Sequence, residues 1–233
     1  MNQSKQRCLI VAVDGPAGSG KSSVCSKACK RLGWTYVNTG FLYRAVAYIC
    51  GVRQIPLNAS EKLGVVIDDF MQSLIWDPET QAVWFQGENI STHLYTDQAG
   101  KDASLIATNR LVREKLLPLQ RDLARRSPVG SIVDGRDIGT VVFPDADLKV
   151  FLTASIDERA RRRIRQLKDG AHVTPEELDT IRTSIAERDK QDAARDVAPL
   201  IQAPDAILLD TSELDMNGTI DALVSLIRAR NLV

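Results

Sequence analysis

Short apolar runs and longer stretches of helical periodicity alternate along this chain. The runs at 8–14, 34–38, 131–134, 148–153 and 206–210 are rich in valine, isoleucine and leucine and too short for helices, as buried strands are. Helical patterns fill 20–32, 41–51, 98–126, 155–168, 175–194 and 217–230. This alternation predicts the α/β class, with a five-stranded parallel sheet flanked by helices on both faces. Ligands of such sheets bind beyond the C-terminal ends of the strands.

Residues 53–97 interrupt the alternation. Asn58 and Glu61 are spaced as a capping box, and Leu63, Val66, Ile67, Phe70, Met71 and Leu74 then form one apolar helical face. Leu74-Ile75-Trp76 and Val83-Trp84-Phe85 flank Asp77-Pro78-Glu79-Thr80, which reads as a hairpin, and Asn89 to Tyr95 can add a third strand. Trp76 and Trp84 sit among apolar neighbours, as packing residues do. The organisation expected is a core of 1–52 and 98–233, with a small α+β insert at 53–97. Within the core, Thr174, Pro175 and Glu177 combine a capping box with proline at the first helical position, so a helix begins there.

Composition narrows the partners. The chain has 233 residues, 44% hydrophobic and 26% charged, with 30 basic and 30 acidic residues, so no net field draws it to nucleic acid or an anionic membrane. No apolar run approaches a membrane span, and a cytoplasmic monomer is expected. Cys8, Cys25, Cys29 and Cys50 lack C-x-x-C spacing and read as small buried hydrophobes.

The chemistry begins after the first strand. Gly15-Pro16-Ala17-Gly18-Ser19-Gly20-Lys21-Ser22 fits the phosphate-loop pattern G-x-x-x-x-G-K-[ST], and Ser23 follows it into a helix. Glycines let successive backbone N–H groups converge on phosphate oxygens at a helix N-terminus. Lys21 supplies a point charge, and the Ser22 hydroxyl is placed for Mg²⁺. Asp134, ending an apolar strand, is the candidate to orient that ion through water; a turn residue before Gly135 is the competing reading.

A nucleotide and a phosphorylated acceptor repel until cations bring them into line. Arginines stand where such cations are needed: Arg44 and Arg136 after strands, and Arg188 and Arg195 on one helix face with Asp192. Arg159, Arg161, Arg162, Arg163 and Arg165 crowd one helix in 157–173, which reads as a lid over the nucleotide. A basic nucleic-acid patch is the alternative, disfavoured by the neutral chain. No N-K-x-D or S-G-G-Q element supports a guanine-nucleotide switch or a transport ATPase.

Together, "VDGPAGSGKSS", "VNTGFLYRAVA", "DGRDIGTVVFPDA" and "ERDKQDAARDVAPL" closely resemble bacterial cytidylate kinases across nearly the whole chain. The resemblance implies in-line transfer of the γ-phosphoryl group of ATP to CMP, and to dCMP, with Mg²⁺ and no covalent intermediate. Residues 15–23 with Arg159 and Arg162 would hold ATP, while Lys21, Arg136, Arg163, Arg188 and Arg195 would stabilise the transferring group. Thr39, Arg44, Arg136 and Arg195 would surround the acceptor phosphate, Arg188 and Asp192 the sugar, and Ser104, Arg113 and Asp137 the base. A guanidinium and a carboxylate match the acceptors and the amine of cytosine, whereas uracil would set a carbonyl against the carboxylate. The resemblance also implies that the insert closes on the acceptor. Asn38 stands where the family often has aspartate, in "NTG".

Overall fold

The computed structural model describes residues 7–168 and 174–233. The end of the expected lid, 169–173, and residues 1–6 lie outside the described residues. Five strands form one parallel sheet in the order β2 (Thr35–Asn38), β6 (Gly130–Gly135), β1 (Leu9–Asp14), β7 (Leu148–Thr153), β8 (Ile207–Asp210). The doubly covered parallel sheet expected from the apolar runs is therefore the sheet that forms.

Alternation along β1 shows why both faces are covered. Ile10 and Ala12 enter one apolar core, under α2 (Gly40–Val52) and α6 (Arg110–Arg125), while Val11 and Val13 enter another, under α1 (Lys21–Leu32) and α9 (Met216–Ala229). Each large aliphatic side chain so buried stabilises the fold by about 1.5–3 kcal/mol. Among the described residues all four cysteines are free; Cys25, Cys29 and Cys50 are buried as expected, and desolvation pushes Cys29 up to about 12 and Cys50 to about 11, whereas Cys8, just before β1, is only half-buried.

The interruption packs into the first of these cores. Helix α3 (Ser60–Ser73) contributes Leu63, Val66, Ile67 and Phe70, and the three-stranded antiparallel sheet β3 (Leu74–Trp76), β4 (Val83–Phe85), β5 (Glu88–Asn89) contributes Trp76, Val83 and Phe85. Trp76 stacks on Phe41 of α2 at 5.9 Å between centroids. Asp77 closes the hairpin turn by accepting the Glu79 N–H at 2.9 Å and the Thr80 hydroxyl at 2.5 Å.

Several local expectations are corrected. Asn58 does not cap α3: the helix starts at Ser60 after Ala59, and Asn58 offers only its carbonyl, to the Ser60 N–H at 3.1 Å. Met71 lies on the exposed side, and Leu74 has already left the helix for β3. The expected third strand is only Glu88–Asn89, because Ser91–Leu94 turns into a short helix, α4. The long helix over 98–126 is two helices, α5 (Asp97–Ile106) and α6, because the Asn109 side chain accepts the N–H groups of Leu111 and Val112 and starts a new helix. The Thr174 capping box forms as expected and starts α8 (Pro175–Ala193). A π-helical turn, Ile138–Val142, follows β6 where no element was expected.

Gly130 begins β6 beneath the Trp34 ring, and a Cβ there would lie 2.7 Å from it. Gly130→Ala is expected to destabilise the protein by about 1–3 kcal/mol in chemical denaturation. Trp34→Leu should recover part of that loss in the double variant; a strictly additive double variant would show that the ring is not the obstacle.

Candidate active site

Every strand of the main sheet delivers its C-terminal end to one edge, and the loops there carry the charged residues. After β1, Gly15 enters the phosphate loop at φ 151°, so close to β7 that a Cβ would lie 2.0 Å from the Leu152 carbonyl oxygen. Only glycine fits there. Gly20, at φ 89°, turns the chain into α1, whose N-terminus faces the same edge. Ser19 fastens the loop internally, its hydroxyl donating to the Pro16 carbonyl at 3.0 Å.

Lys21 is buried at the first residue of α1. Its Nζ donates to the carbonyls of Gly15 at 2.6 Å and Pro16 at 2.8 Å, and to Ser19 Oγ at 3.1 Å. Burial, and next Arg136, push its pKa down to about 7, with Asp134 pulling the other way. Ser22 lies exposed beside it and donates to Asp134 Oδ2 at 2.9 Å. Asp134 is 3% exposed, and among the described residues its Oδ1 has no hydrogen-bond partner. Burial raises its carboxyl above the usual range, opposed by Lys21 and Ser22. Tyr36, on β2, places a buried hydroxyl near this carboxylate, a neighbour that sequence reasoning missed.

Thr39 follows β2 and donates its hydroxyl to the Asp134 carbonyl at 2.9 Å. Asn38, where the motif often carries a carboxylate, accepts the Gly40 N–H at 3.0 Å and so closes the turn into α2. Arg44, one turn into α2, reaches the Leu94 carbonyl at 2.9 Å and lies over the Tyr95 ring.

A polar pit extends from there. Asp192 of α8, 1% exposed, accepts Arg136 Nε at 2.8 Å, the Arg195 guanidinium, and the Ser104 hydroxyl at 3.2 Å. Burial pushes its carboxyl up, but Arg136 and Arg195 outweigh burial and hold it below the ordinary range. Arg188 lies against Gly100 of α5 with its Nε buried and, among the described residues, unpartnered; burial and then the Arg136 charge bring its pKa down to about 10. Arg113 pairs with Asp137 in a buried salt bridge, its guanidinium over the Tyr43 ring. The break between α5 and α6 places Ser104 and Arg113 on two helices turned into this pit.

The basic helix α7 (Ile156–Lys168) divides by function. Arg159 donates to the Ala17 carbonyl at 3.1 Å and to Asp189 at 2.5 Å, and Arg162 to the Ser19 carbonyl at 2.9 Å and to Thr211 Oγ1 at 3.0 Å. Both therefore brace the phosphate loop. Arg163 pairs with Asp97 at the start of α5, whereas Arg161 and Arg165 are exposed and pair with Glu158. Asp189, Thr211, Asp97 and the Leu94 carbonyl were not foreseen, because each is legible only as the partner of an arginine. Ser23 sits half-buried in the first turn of α1.

The family model described as cytidylate kinase matches residues 11–229. A cytidylate kinase of Azotobacter vinelandii is 41% identical over 228 residues, covering 97% of this chain and 98% of that protein. One from Shouchella clausii is 39% identical over 219 residues, covering 94% of this chain and 95% of its own. A solved structure of an uncharacterized protein from Eubacterium ventriosum shares the fold with a TM-score of 0.52 at 11% identity, covering 95% of this chain and 99% of that one. The match to the family model and the near-complete coverage of these relatives show that the chain belongs to the cytidylate kinase family and is an ATP-dependent nucleoside monophosphate kinase.

Proposed function

We propose that the phosphate loop holds ATP and the arginine pit holds CMP, so that the γ-phosphoryl group passes directly between them at the C-terminal edge of the sheet. The observation that carries this reading is the charge of the pit. Arg136, Arg188 and Arg195 gather around Asp192, Arg113 joins them, and Arg44 and Lys21 add positive charge nearby, more cations than the carboxylates of Asp192, Asp137 and Asp134 offset. Partly desolvated cations in such excess stabilise an incoming dianion far more than exposed ones do.

Within the pit the roles divide by chemistry. Arg44, Arg136 and Arg195, with Thr39 alongside, offer forked donors and a hydroxyl to the acceptor phosphate. Arg188 and Asp192 suit the sugar, whose hydroxyls both donate and accept. Ser104, Arg113 and Asp137 suit the base: Arg113 donates to the cytosine acceptors and Asp137 accepts from its amine. The same reading extends to dCMP, since Asp192 already has protein partners without a 2′-hydroxyl. On the donor side the N–H groups of residues 15–23 cradle phosphates, Arg159 and Arg162 fix the loop, and Lys21, Arg163 and Arg188 meet the charge that spreads over the transferring group.

Ser22 and Asp134 fit Mg²⁺. Both offer hard oxygen donors, the hydroxyl and carboxylate already lie 2.9 Å apart, and Asp134 Oδ1 is buried without a partner among the described residues. Ser22 would hold the ion directly and Asp134 through water; when bound it neutralises phosphate charge and polarises the phosphorus–oxygen bond. No general base is assigned, since an acceptor phosphate near neutral pH is already a nucleophilic anion.

Release of ADP measured with ATP and Mg²⁺ against CMP, dCMP, UMP, AMP and GMP is expected to be fastest with CMP. Asp137→Asn should reduce the CMP-to-UMP ratio of kcat/KM roughly tenfold or more. Equal ADP release without any monophosphate would overturn the acceptor site as described.

Lys21 yields a pH-dependent expectation. A lysine whose folded-state pKa lies below its unfolded value binds fewer protons when folded, so stability rises with pH between the two values. Lys21→Met is expected to abolish turnover. Wild type should gain stability relative to this variant as pH rises from about 7 towards 10. Melting curves that stay a constant distance apart over that range would show that Lys21 is not held at a depressed pKa.

A further inference from the structure

The tripeptide Val-Asp-Gly occurs at the ends of both β1 and β6: Val13-Asp14 closes β1 with Gly15 next, and Val133-Asp134-Gly135 closes β6. Their register pairs Val13 with Asp134 and Asp14 with Gly135, so the two aspartates are offset by one residue. Side chains alternate along a strand, and this offset sends the two carboxylates to opposite faces of the sheet. Asp134 turns toward α1 and Ser22. Asp14 turns the other way and accepts the N–H of Ile138 at 2.8 Å and of Gly139 at 2.7 Å.

These two amides begin the π-helical turn, directly after Arg136 and Asp137. Asp14 itself directly precedes Gly15, the first residue of the phosphate loop. One carboxylate, 5% exposed, therefore ties the loop read as donor site to the segment read as acceptor site. Two bonds from one rigid group fix tilt as well as distance. Little slack surrounds them: a Cβ on Gly139 would stand 3.4 Å from Asp14 Oδ2 and 3.1 Å from Lys149 Cδ. Holding a carboxylate here is unfavourable, because burial raises its pKa to about 6, opposed by the two amides. Asp137 and Lys21 are the charged groups that face it, and Lys149 packs against Gly139.

We infer that Asp14 is a positioning residue whose carboxylate sets the segment Arg136–Asp137 against the phosphate loop. The inference rests on the assignment of Arg136 and Asp137 to the acceptor. An amide at position 14 keeps the shape but has one acceptor oxygen and turns an N–H₂ group toward a backbone donor. The acceptor segment should then shift while the phosphate loop, braced by Arg159 and Arg162, stays in place.

The test is a comparison of steady-state constants for wild type, Asp14→Asn and the smaller Asp14→Ser. Asp14→Asn is expected to raise KM for CMP roughly tenfold and lower kcat, since small misplacements are costly, while KM for ATP changes less than about twofold. Equal rises in both KM values, or unchanged kinetics with only a lower melting temperature, would overturn the inference. Should neither variant fold, wild type still decides: the amide protons of Ile138 and Gly139 should resonate downfield and shift together on acidification through about 6. Independent or absent shifts would overturn the two-point attachment. Asp137→Asn in parallel separates the failures: retained CMP preference there refutes the base-reading assignment, whereas the Asp14 inference is judged on the KM split and the amide shifts alone.

Discussion

Positive charge held partly out of water is the constraint around which this protein is built. Arg136, Arg188 and Arg195 crowd Asp192, Lys21 is buried within reach of the Arg136 charge, and Arg188 keeps a buried Nε without a partner among the described residues. Desolvation and mutual repulsion depress the pKa of Lys21 and Arg188, which means that the folded state is less stable than it would be with neutral groups in those places. A kinase for two anionic substrates benefits from that instability. In the reading proposed above, the charge that the fold bears at a cost is compensated when phosphate oxygens arrive, and the apolar cores on either side of the sheet must outweigh that cost until then.

Rigidity of the supporting sheet is what makes this tolerable. Parallel strands buried on both faces deliver Asp14, Asn38 and Gly135 to one edge in fixed register, with Thr39 next in line. Loops that leave such an edge can hold repelling arginines because their ends are anchored in a core that does not yield. The insert reinforces the same edge. Trp76 and Phe85 join the apolar core beneath α2, and Leu94, just past the short sheet, offers the carbonyl that Arg44 binds.

The sheet was legible because doubly covered strands need continuous apolar runs, and few other elements produce them. The phosphate loop was legible because glycine is required at Gly15 and Gly20 by backbone geometry, and that requirement survives in any context. Where local side chains decide, periodicity misled. Helical periodicity was read as continuous over 98–126, with no Gly or Pro at 107–109 to mark a break, whereas the Asn109 cap splits it into two helices. Ser104 and Arg113 looked ordinary on that imagined helix and were identified only by family resemblance. Asp14 went unnoticed for a different reason: an aspartate that ends a strand before glycine reads as a turn residue, and its two partners lie more than a hundred residues away.

Helix α8 links the two halves of the site mechanically. Asp189 holds Arg159, which in turn grips the Ala17 carbonyl of the phosphate loop, while the neighbouring Arg188 turns toward the pit with Asp192. Arg182, two turns earlier, pairs with Asp157 at the start of α7. α8 is therefore attached to the phosphate loop through α7, and to Arg136 and Ser104 through its own Asp192. A displacement of α7 along its axis would move Asp189 and, through the stiff helix, Arg188 with it. The charge around Asp192 is thus set by the helix pair as a unit, because the cations there cannot move without the contacts that brace the phosphate loop.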